Sequence, residues 1–203
     1  MAQTNLPVTL VDYRVGNIHS IAKAVERAGT RVTVTDRPED LLAARCLVLP
    51  GVGAFDAVMG QLDPVREALA RRLREGVPCL AVCIGMQILY QRSEEGSAEG
   101  LGLLRGGVRR LRHAKLPHMG WNTVEHDGDP LLAGVPSGSW FYFVHSYAPG
   151  VGASTIARTD YGGAFGSAVR VANTLGVQFH PEKSSDAGRR VIEHFVAMAR
   201  KVG

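Results

Sequence analysis

The stretch that decides the fold runs from residue 79 to residue 87 and reads Cys79-Leu80-Ala81-Val82-Cys83-Ile84-Gly85-Met86-Gln87. Its first four residues are a short apolar run, which is typical of a strand buried on both faces. The residues from Gly85 to Tyr90 predict the beginning of a helix directly after that strand. A strand that passes into a helix in this way indicates a βαβ unit and a parallel sheet.

The same alternation of strand and helix continues on the N-terminal side of this stretch. Predicted strands there span residues 8–11, 31–35 and 46–49, and predicted helices span residues 17–28 and 64–75. The second half predicts mainly strands, at residues 106–111, 121–125, 140–145, 154–159, 167–172 and 174–179, with a hairpin turn at Asn173 and one closing helix at residues 186–202. We therefore expect a single α/β domain over residues 1–203, with a mixed and mostly parallel sheet flanked by helices.

The length and composition exclude several classes of function. With 203 residues, of which 45% are hydrophobic and 21% charged, the chain has enough core for one large domain. Two separate chemistries are excluded, because each usually needs roughly 100–200 residues of its own. No apolar run approaches the ~20 residues that a membrane helix needs, so we expect no membrane association.

The charged residues and the cysteines indicate the compartment and the kind of partner. The chain has 23 Lys and Arg against 19 Asp and Glu, which gives a net charge of +4. Because this excess is mild and no five like charges are consecutive, it indicates a solvated surface rather than a nucleic-acid partner. The three cysteines, Cys46, Cys79 and Cys83, fit a reducing compartment in which thiols stay free. We therefore expect a cytoplasmic protein.

Cys83 is the candidate nucleophile, because it stands at the end of a predicted strand and directly before a predicted helix. A tight turn at that point exposes a side chain at the carboxyl edge of the sheet, and a helix N-terminus favours a thiolate. The crowded backbone needs small neighbours, which Ala81 and Gly85 provide. On position alone, an inert buried cysteine fits equally well.

His180 and Glu182 are the candidate base and the group that orients it. A thiol nucleophile needs an imidazole that takes its proton and later gives it to the leaving amine. His180 follows a predicted strand, and Pro181 ends that strand. In an extended segment, residues two apart point to the same side, so Glu182 is expected to face the His180 imidazole. Cys83, His180 and Glu182 together make a complete catalytic set.

Acyl transfer also needs hydrogen-bond donors for the developing oxyanion. The backbone N–H of Ile84, next to the nucleophile, is one candidate. The turn Pro50-Gly51-Val52-Gly53 follows another predicted strand and is expected to supply a second donor. A phosphate-binding loop is a weaker interpretation of this turn, because the chain lacks G-x-G-x-x-G. Cys79 and Cys83 do not have the C-x2-C spacing of a metal pair, so we expect no metal and no cofactor.

These residues resemble the class I, triad-type glutamine amidotransferases, through Val82-Cys83-Ile84-Gly85-Met86-Gln87 and Phe179-His180-Pro181-Glu182. More narrowly, the chain is similar to the subfamily of glutaminase subunits of imidazole glycerol phosphate synthase. The segments of that narrower resemblance are Asp12-Tyr13-Arg14-Val15-Gly16-Asn17, Pro50-Gly51-Val52-Gly53-Ala54-Phe55, Pro117-His118-Met119-Gly120-Trp121-Asn122 and Tyr142-Phe143-Val144-His145-Ser146-Tyr147. In the first of them, Arg14 stands where the subfamily usually has glycine.

The resemblance implies a class I glutamine amidotransferase-like, flavodoxin-like domain, and with it a site, a reaction and a partner. It implies glutamine binding by Gly51, Gln87 and the backbone of Ser146 and Tyr147, and an oxyanion hole at Val52, Gly53 and Ile84. It implies a heterodimer with a (β/α)8-barrel cyclase subunit, which receives the ammonia and forms imidazole glycerol phosphate and AICAR in histidine biosynthesis. Our candidates for the contact surface are Asn17, Trp121, Tyr142 and Lys183. Two alternatives stay open, namely the glutaminase subunit of pyridoxal phosphate synthase and a non-catalytic flavodoxin-like module.

Overall fold

The structure, a computed structural model, describes residues 6–202. The strands are β1 (Val8–Val11), β2 (Val32–Thr35), β3 (Leu47–Leu49), β4 (Cys79–Val82), β5 (Tyr90–Ser93), β6 (Leu104–Arg110), β7 (His118–His126), β8 (Ser139–His145), β9 (Tyr147–Pro149), β10 (Thr155–Asp160), β11 (Ala164–Val171) and β12 (Thr174–Val177). The helices are α1 (His19–Arg27), α2 (Pro38–Ala43), α3 (Phe55–Leu62), α4 (Arg66–Arg74), α5 (Ile84–Gln87) and α6 (Ser185–Val202). Short 3-10 turns lie at Asp63–Val65, Pro130–Leu132 and Pro181–Lys183.

A nine-stranded mixed sheet in the order β2-β1-β3-β4-β12-β11-β10-β7-β8 forms the centre of the molecule. The pairings from β2 to β12 are parallel, and those from β12 to β8 are antiparallel. A smaller sheet in the order β5-β6-β9 lies beside it. The α/β class, the mixed sheet and the hairpin turn at Asn173 are thus confirmed, and the antiparallel part is wider than the sequence suggested.

Helices cover both faces of the parallel part of this sheet. The alternation along β4 shows the two layers: Leu80 and Val82 belong to one hydrophobic cluster, and Cys79 and Ala81 belong to the other. The first cluster includes the apolar sides of α1 and α6, and the second those of α2, α3 and α4. Burial on both faces explains why the central strands are continuous apolar runs. Every helix among residues 6–202 is too short or too polar to cross a lipid bilayer.

Several local predictions differ from the structure. The sequence did not predict α2 or α3, and the helix expected at 64–75 begins only at Arg66, after a 3-10 turn that contains Pro64. The helix expected at 85–90 ends at Gln87, because the following backbone pairs with a distant segment. The N–H groups of Leu101 and Leu104 donate to the carbonyls of Ile88 and Leu89 at 2.7 and 3.0 Å, respectively. These long-range bonds begin β5 where the helix was expected to continue.

Gly85 is required by the close approach of α5 to β3. A Cβ atom at Gly85 would collide with the carbonyl oxygen of Leu49, which is backbone and has no room to move away. Gly60, in the interior of α3, is exposed and would place a Cβ atom in open space. The two helical glycines therefore have opposite consequences for stability.

We expect Gly85→Ala to lower the free energy of unfolding by about 1–3 kcal/mol, because the added methyl overpacks the contact with β3. Gly60→Ala should raise it by up to ~1 kcal/mol, since alanine is the better helix former and meets no neighbour there. Urea denaturation of both variants measures these changes. A Gly85→Ala variant as stable as the parent would contradict the close approach.

Candidate active site

The sheet topology brings three predicted segments to one edge. The strands β3, β4 and β12 are neighbours and parallel, so the segments that follow them lie at the same edge. These segments are the turn at Pro50–Gly53, the Cys83 turn and the His180 segment. A Cβ atom built on Gly51 would lie 2.8 Å from His180 Cε1 and 2.9 Å from Cys83 Cβ. Gly51 therefore packs directly against both side chains.

Cys83 occupies the sharp turn between β4 and α5. Its backbone has φ 48° and ψ −108°, a conformation that a residue with a side chain adopts at a cost of about 1–3 kcal/mol. The turn is held on one side by the Cys83 N–H, which donates to the carbonyl of Val177 at 2.7 Å. On the other side α5 begins at Ile84. The Cys83 side chain is nearly buried, so the turn aims a sulfur atom into an enclosed site.

The sulfur of Cys83 contacts two further groups. The Gln178 side-chain N–H donates toward the sulfur across 3.5 Å, and the thiol faces the carbonyl of Val144 in β8 at 3.8 Å. Cys46, directly before β3, and Cys79, the first residue of β4, are fully buried and lie at the amino ends of these two strands, whereas Cys83 follows the carboxyl end of β4. Of the three free cysteines, Cys83 is therefore the one at the site.

The backbone of His180 is fixed by β8 and by Ser184. The His180 N–H donates to the carbonyl of Tyr142 at 2.9 Å, and the Ser184 hydroxyl donates to the His180 carbonyl at 2.6 Å. The Ser184 hydroxyl oxygen in turn accepts from the Tyr142 N–H at 2.9 Å. This closed set of bonds fixes the direction of the imidazole.

The predicted contact between His180 and Glu182 exists, but the backbone that produces it is different. His180 Nδ1 lies 2.9 Å from Glu182 Oε1, and both side chains are buried. The sequence predicted an extended segment here, and that was wrong: residues 181–183 form a 3-10 turn with Pro181 at its start. Proline fixes φ at a value that suits the first position of such a turn. The turn brings the carboxylate back toward the ring.

His180 is held in its protonated form by its neighbours. Burial alone lowers the pKa of His180, but the hydrogen bonds and charges of Cys83 and Glu182 outweigh burial and raise it to about 10. His180 Nε2 is buried and makes no well-formed hydrogen bond within residues 6–202, which leaves this atom for Cys83 and a substrate. A cation of this kind stabilises a thiolate beside it.

The turn at Pro50–Gly53 packs against the loop that follows β1. A Cβ atom at Gly16 would lie 2.7 Å from Val52 Cβ, and Gly53 takes φ 99°. Arg14, which replaces the subfamily's glycine, keeps the left-handed conformation at φ 58°. Its N–H donates to Asp12 and its guanidinium to Asp36, each at 2.7 Å. The substitution therefore keeps a conformation that usually calls for glycine.

Gln87 lies at the end of α5 and reaches the segment after β8. Its Nε2 donates to the Tyr147 carbonyl at 2.8 Å and to Gln178 Oε1 at 3.2 Å. The neighbouring Ser146 carbonyl accepts from the Leu111 N–H at 2.9 Å, which fixes the backbone there. The structure thus brings Gln87 and Tyr147 together, as the resemblance implies.

Sequence reasoning missed Gln178 and a buried pair of histidines. His118 Nδ1 and His145 Nε2 are 3.1 Å apart, and His145 Nδ1 lies 2.8 Å from the Tyr147 carbonyl. Burial lowers the pKa of His145 to about 3 and that of His118 to about 4, so both rings are neutral at physiological pH. Both lie on the inward side of a strand, but their meeting depends on the register between β7 and β8, which the sequence does not show.

Three of the four predicted contact residues form one row, in which Trp121 and Lys183 are exposed and Tyr142 is half-buried. The rings of Trp121 and Tyr142 are 6.2 Å apart in an edge-to-face arrangement, and Lys183 Nζ lies 5.8 Å from the centre of the Tyr142 ring. The fourth, Asn17, lies two residues before α1, and its side chain accepts from the His19 N–H at 2.9 Å. Helix α1 packs against the turn at Pro181–Lys183.

The chain belongs to the class I glutamine amidotransferase family, whose model matches residues 9–199. Among curated relatives, it is 43% identical to a protein of Methanocaldococcus jannaschii, over 94% of this chain and 99% of the relative. It is 44% identical to a protein of Gloeobacter violaceus, over 95% of this chain and 89% of the relative. Both relatives carry the name imidazole glycerol phosphate synthase subunit HisH.

Solved structures support the fold. A crystal structure of a glutamine amidotransferase superposes with a TM-score of 0.73 at 20% identity, over 94% of this chain and 98% of that one. The structure of PurLQS from Thermotoga maritima superposes with a TM-score of 0.70 at 18% identity, over 96% and 99%. Within residues 6–202, no three His, Cys, Asp or Glu side chains group in a way that could hold a metal ion.

The low pKa of His145 predicts how stability depends on pH. Above about pH 6.5 the ring is neutral in both the folded and the unfolded chain, so it has no effect. Below that pH the unfolded chain binds a proton that the folded chain excludes, and the free energy of unfolding falls until about pH 3.

We therefore expect acidification from pH 6.5 to 4.5 to destabilise the parent more steeply than His145→Gln. Urea unfolding at several pH values measures both slopes. His19→Gln, at an exposed position, should follow the parent. Equal slopes in the parent and His145→Gln would show that His145 takes up a proton in the folded chain.

Proposed function

We propose that this protein hydrolyses the side-chain amide of glutamine to glutamate and ammonia, as the glutaminase subunit of an imidazole glycerol phosphate synthase. The observation that carries this proposal is the arrangement at the sheet edge. Cys83 is held in a strained turn, beside a His180 whose pKa is raised to about 10 and which is paired with Glu182. Membership in the amidotransferase family and the names of the 43–44% identical relatives support the same activity.

In the first step, the Cys83 thiolate attacks the amide carbon of glutamine, and the carbonyl oxygen becomes an oxyanion. The backbone N–H of Ile84, the residue after the nucleophile and the first of α5, would donate to this oxyanion. Val52 and Gly53 would supply the second donor. The contact of Gly51, in the same turn, with both Cys83 and His180 supports this role.

In the second step, protonated His180 gives its proton from Nε2 to the departing amine, and ammonia leaves. The product is a thioester between Cys83 and the glutamyl group. His180, now neutral, takes a proton from a water molecule that attacks the thioester, which releases glutamate and restores the thiolate. Glu182 accepts from Nδ1 throughout, and so it holds the ring with Nε2 toward the sulfur.

An exposed apolar surface beside the site supports the proposed partner. The side chains of Met119, Trp121 and Trp140 are 62%, 48% and 59% exposed, and all three lie on the outer face of the β7–β8 hairpin. The same hairpin contacts Cys83 and His180 through the backbone of β8. Exposed apolar surface of this kind marks a protein interface. We propose that the (β/α)8-barrel cyclase subunit docks on this outer face.

A docked partner would also solve a chemical problem. Ammonia in neutral water is mostly ammonium, which is not nucleophilic, so ammonia released into bulk solvent is of little use to a synthase. A partner that covers the site could receive ammonia directly and use it to form imidazole glycerol phosphate and AICAR.

The free state of Cys46, Cys79 and Cys83 supports the proposed cytoplasmic location. The family match over residues 9–199 supports a single domain.

The experiment that tests the activity measures glutamate released from glutamine, with and without the barrel subunit and its nucleotide ligand. We expect the partner to stimulate the rate. Cys83→Ala should lower kcat by about 10⁴-fold or more, because no other group replaces the nucleophile. Cys46→Ala is the matched control, since this buried thiol lies at the amino end of β3, opposite the carboxyl edge that holds the site, and should leave the rate near that of the parent.

Two results would contradict the proposal. Glutamate release that is unchanged in Cys83→Ala would exclude the mechanism. A rate that the barrel subunit does not change would exclude the role as a subunit, even if the isolated chain hydrolyses glutamine.

The docking surface makes a separate prediction. Trp121→Ala should raise the Kd for the barrel subunit by about tenfold or more, as expected for a large aromatic side chain at the centre of an interface. Val34→Ala is the control, because Val34 is 47% exposed on β2, at the opposite edge of the sheet. Titration calorimetry measures both affinities. Equal affinities for the parent and Trp121→Ala would place the interface elsewhere.

A further inference from the structure

Gln178 lies between the nucleophile and Gln87. It is fully buried, follows β12 directly and precedes His180 by two residues. Its Nε2 lies 3.5 Å from the Cys83 sulfur, and its Oε1 accepts from Gln87 Nε2 at 3.2 Å. One amide group therefore contacts two residues of the proposed site, and neither end of it faces solvent.

The orientation of this amide is fixed by its neighbours. A backbone carbonyl can only accept, so the nitrogen of Gln87 must be the atom that faces the Tyr147 carbonyl. The second hydrogen of that nitrogen points to Gln178, whose oxygen must therefore face Gln87. This leaves the nitrogen of Gln178 toward Cys83. His145 also donates to the Tyr147 carbonyl and holds this end of the network in place.

This orientation has consequences for both residues. An N–H directed at sulfur donates a hydrogen bond to the thiolate that attacks the substrate, and a hydrogen bond to a charged acceptor is stronger than one between neutral groups. At Gln87 both hydrogens of the amide nitrogen are used, so the oxygen is the atom left for a ligand. An amide oxygen accepts from the ammonium group of an amino acid such as glutamine.

We propose that Gln178 is a positioning residue for glutamine hydrolysis, which holds the Cys83 thiolate with its nitrogen and sets the ligand-binding direction of Gln87 with its oxygen. This inference rests on the proposed function. It adds a residue that acts through Cys83 and Gln87 and does not itself react.

The test compares Gln178→Met, which keeps the length of the side chain but has no amide, with the parent. The first measurement is the rate at which iodoacetamide alkylates Cys83 at neutral pH in the full chain, with Cys83→Ala as the blank. This rate follows the thiolate and needs no glutamine. We expect it to fall by about tenfold in Gln178→Met, as expected for the loss of one hydrogen bond to a charged group.

The second measurement separates kcat from KM for glutamine in the complex with the barrel subunit. Gln178→Met should lower kcat and raise KM, the first through Cys83 and the second through Gln87. When Gln87→Met is already present, adding Gln178→Met should raise KM no further, because Gln178 affects KM only through Gln87. The added Gln178→Met should still slow the alkylation of Cys83. Thr174→Val is the control, because Thr174 is also fully buried in β12 and its hydroxyl has no partner among the described residues.

A folded Gln178→Met that alkylates and binds glutamine like the parent overturns the inference, even if its melting temperature is lower. If this variant does not fold, Gln178→Asn, whose side chain is too short to hold both contacts, decides by the same measurements. Failure of the proposed function looks different, because the parent itself would then release no glutamate. The alkylation rates would still decide whether Gln178 acts on the thiolate.

Discussion

The structure of the site depends on the turn at Cys83. Strand β4 lies inside the parallel part of the sheet, between β3 and β12, so its carboxyl end is flanked by the ends of its two neighbours. The chain must leave this crowded point at once, and it does so with a positive φ at Cys83 and with Gly85 against the backbone of β3. The pairing of β4 on both sides supports this strained turn. Every other group of the site is arranged around the sulfur atom that the turn presents.

The site contains two buried histidines with opposite electrostatic states, and their partners explain the difference. His180 has a carboxylate and a thiol as neighbours, and these raise its pKa to about 10 against the effect of burial. His145 is buried to a similar degree, but it faces a carbonyl and the neutral ring of His118, and its pKa is lowered to about 3. The protonated ring of His180 and the neutral ring of His145 thus lie in the same protein interior. The first suits proton transfer, and the second suits a fixed hydrogen bond.

The separate segments of this site could be predicted from the sequence, because each is a short motif at the end of one strand. Strand β4 has the predicted bounds, His180 contacts Glu182, and Gly51 packs against both Cys83 and His180. What could not be predicted depends on long-range pairing. The bonds from the segment at 101–104 begin β5 inside an expected helix, and the register between β7 and β8 brings His118 to His145. Gln178 was missed because its role appears only when the partners at both ends of its amide are known.

Strand β8 connects the exposed surface to the site through its backbone. Its carbonyls at Tyr142 and Val144 face His180 and Cys83, while Trp140 and the ring of Tyr142 lie on the outer side. The Tyr142 N–H is bonded to Ser184, which itself holds His180. A shift of β8 by even a few tenths of an ångström would therefore change the surroundings of both residues at once. A protein that docks on the outer face of this hairpin would therefore contact the same strand whose backbone faces Cys83 and His180.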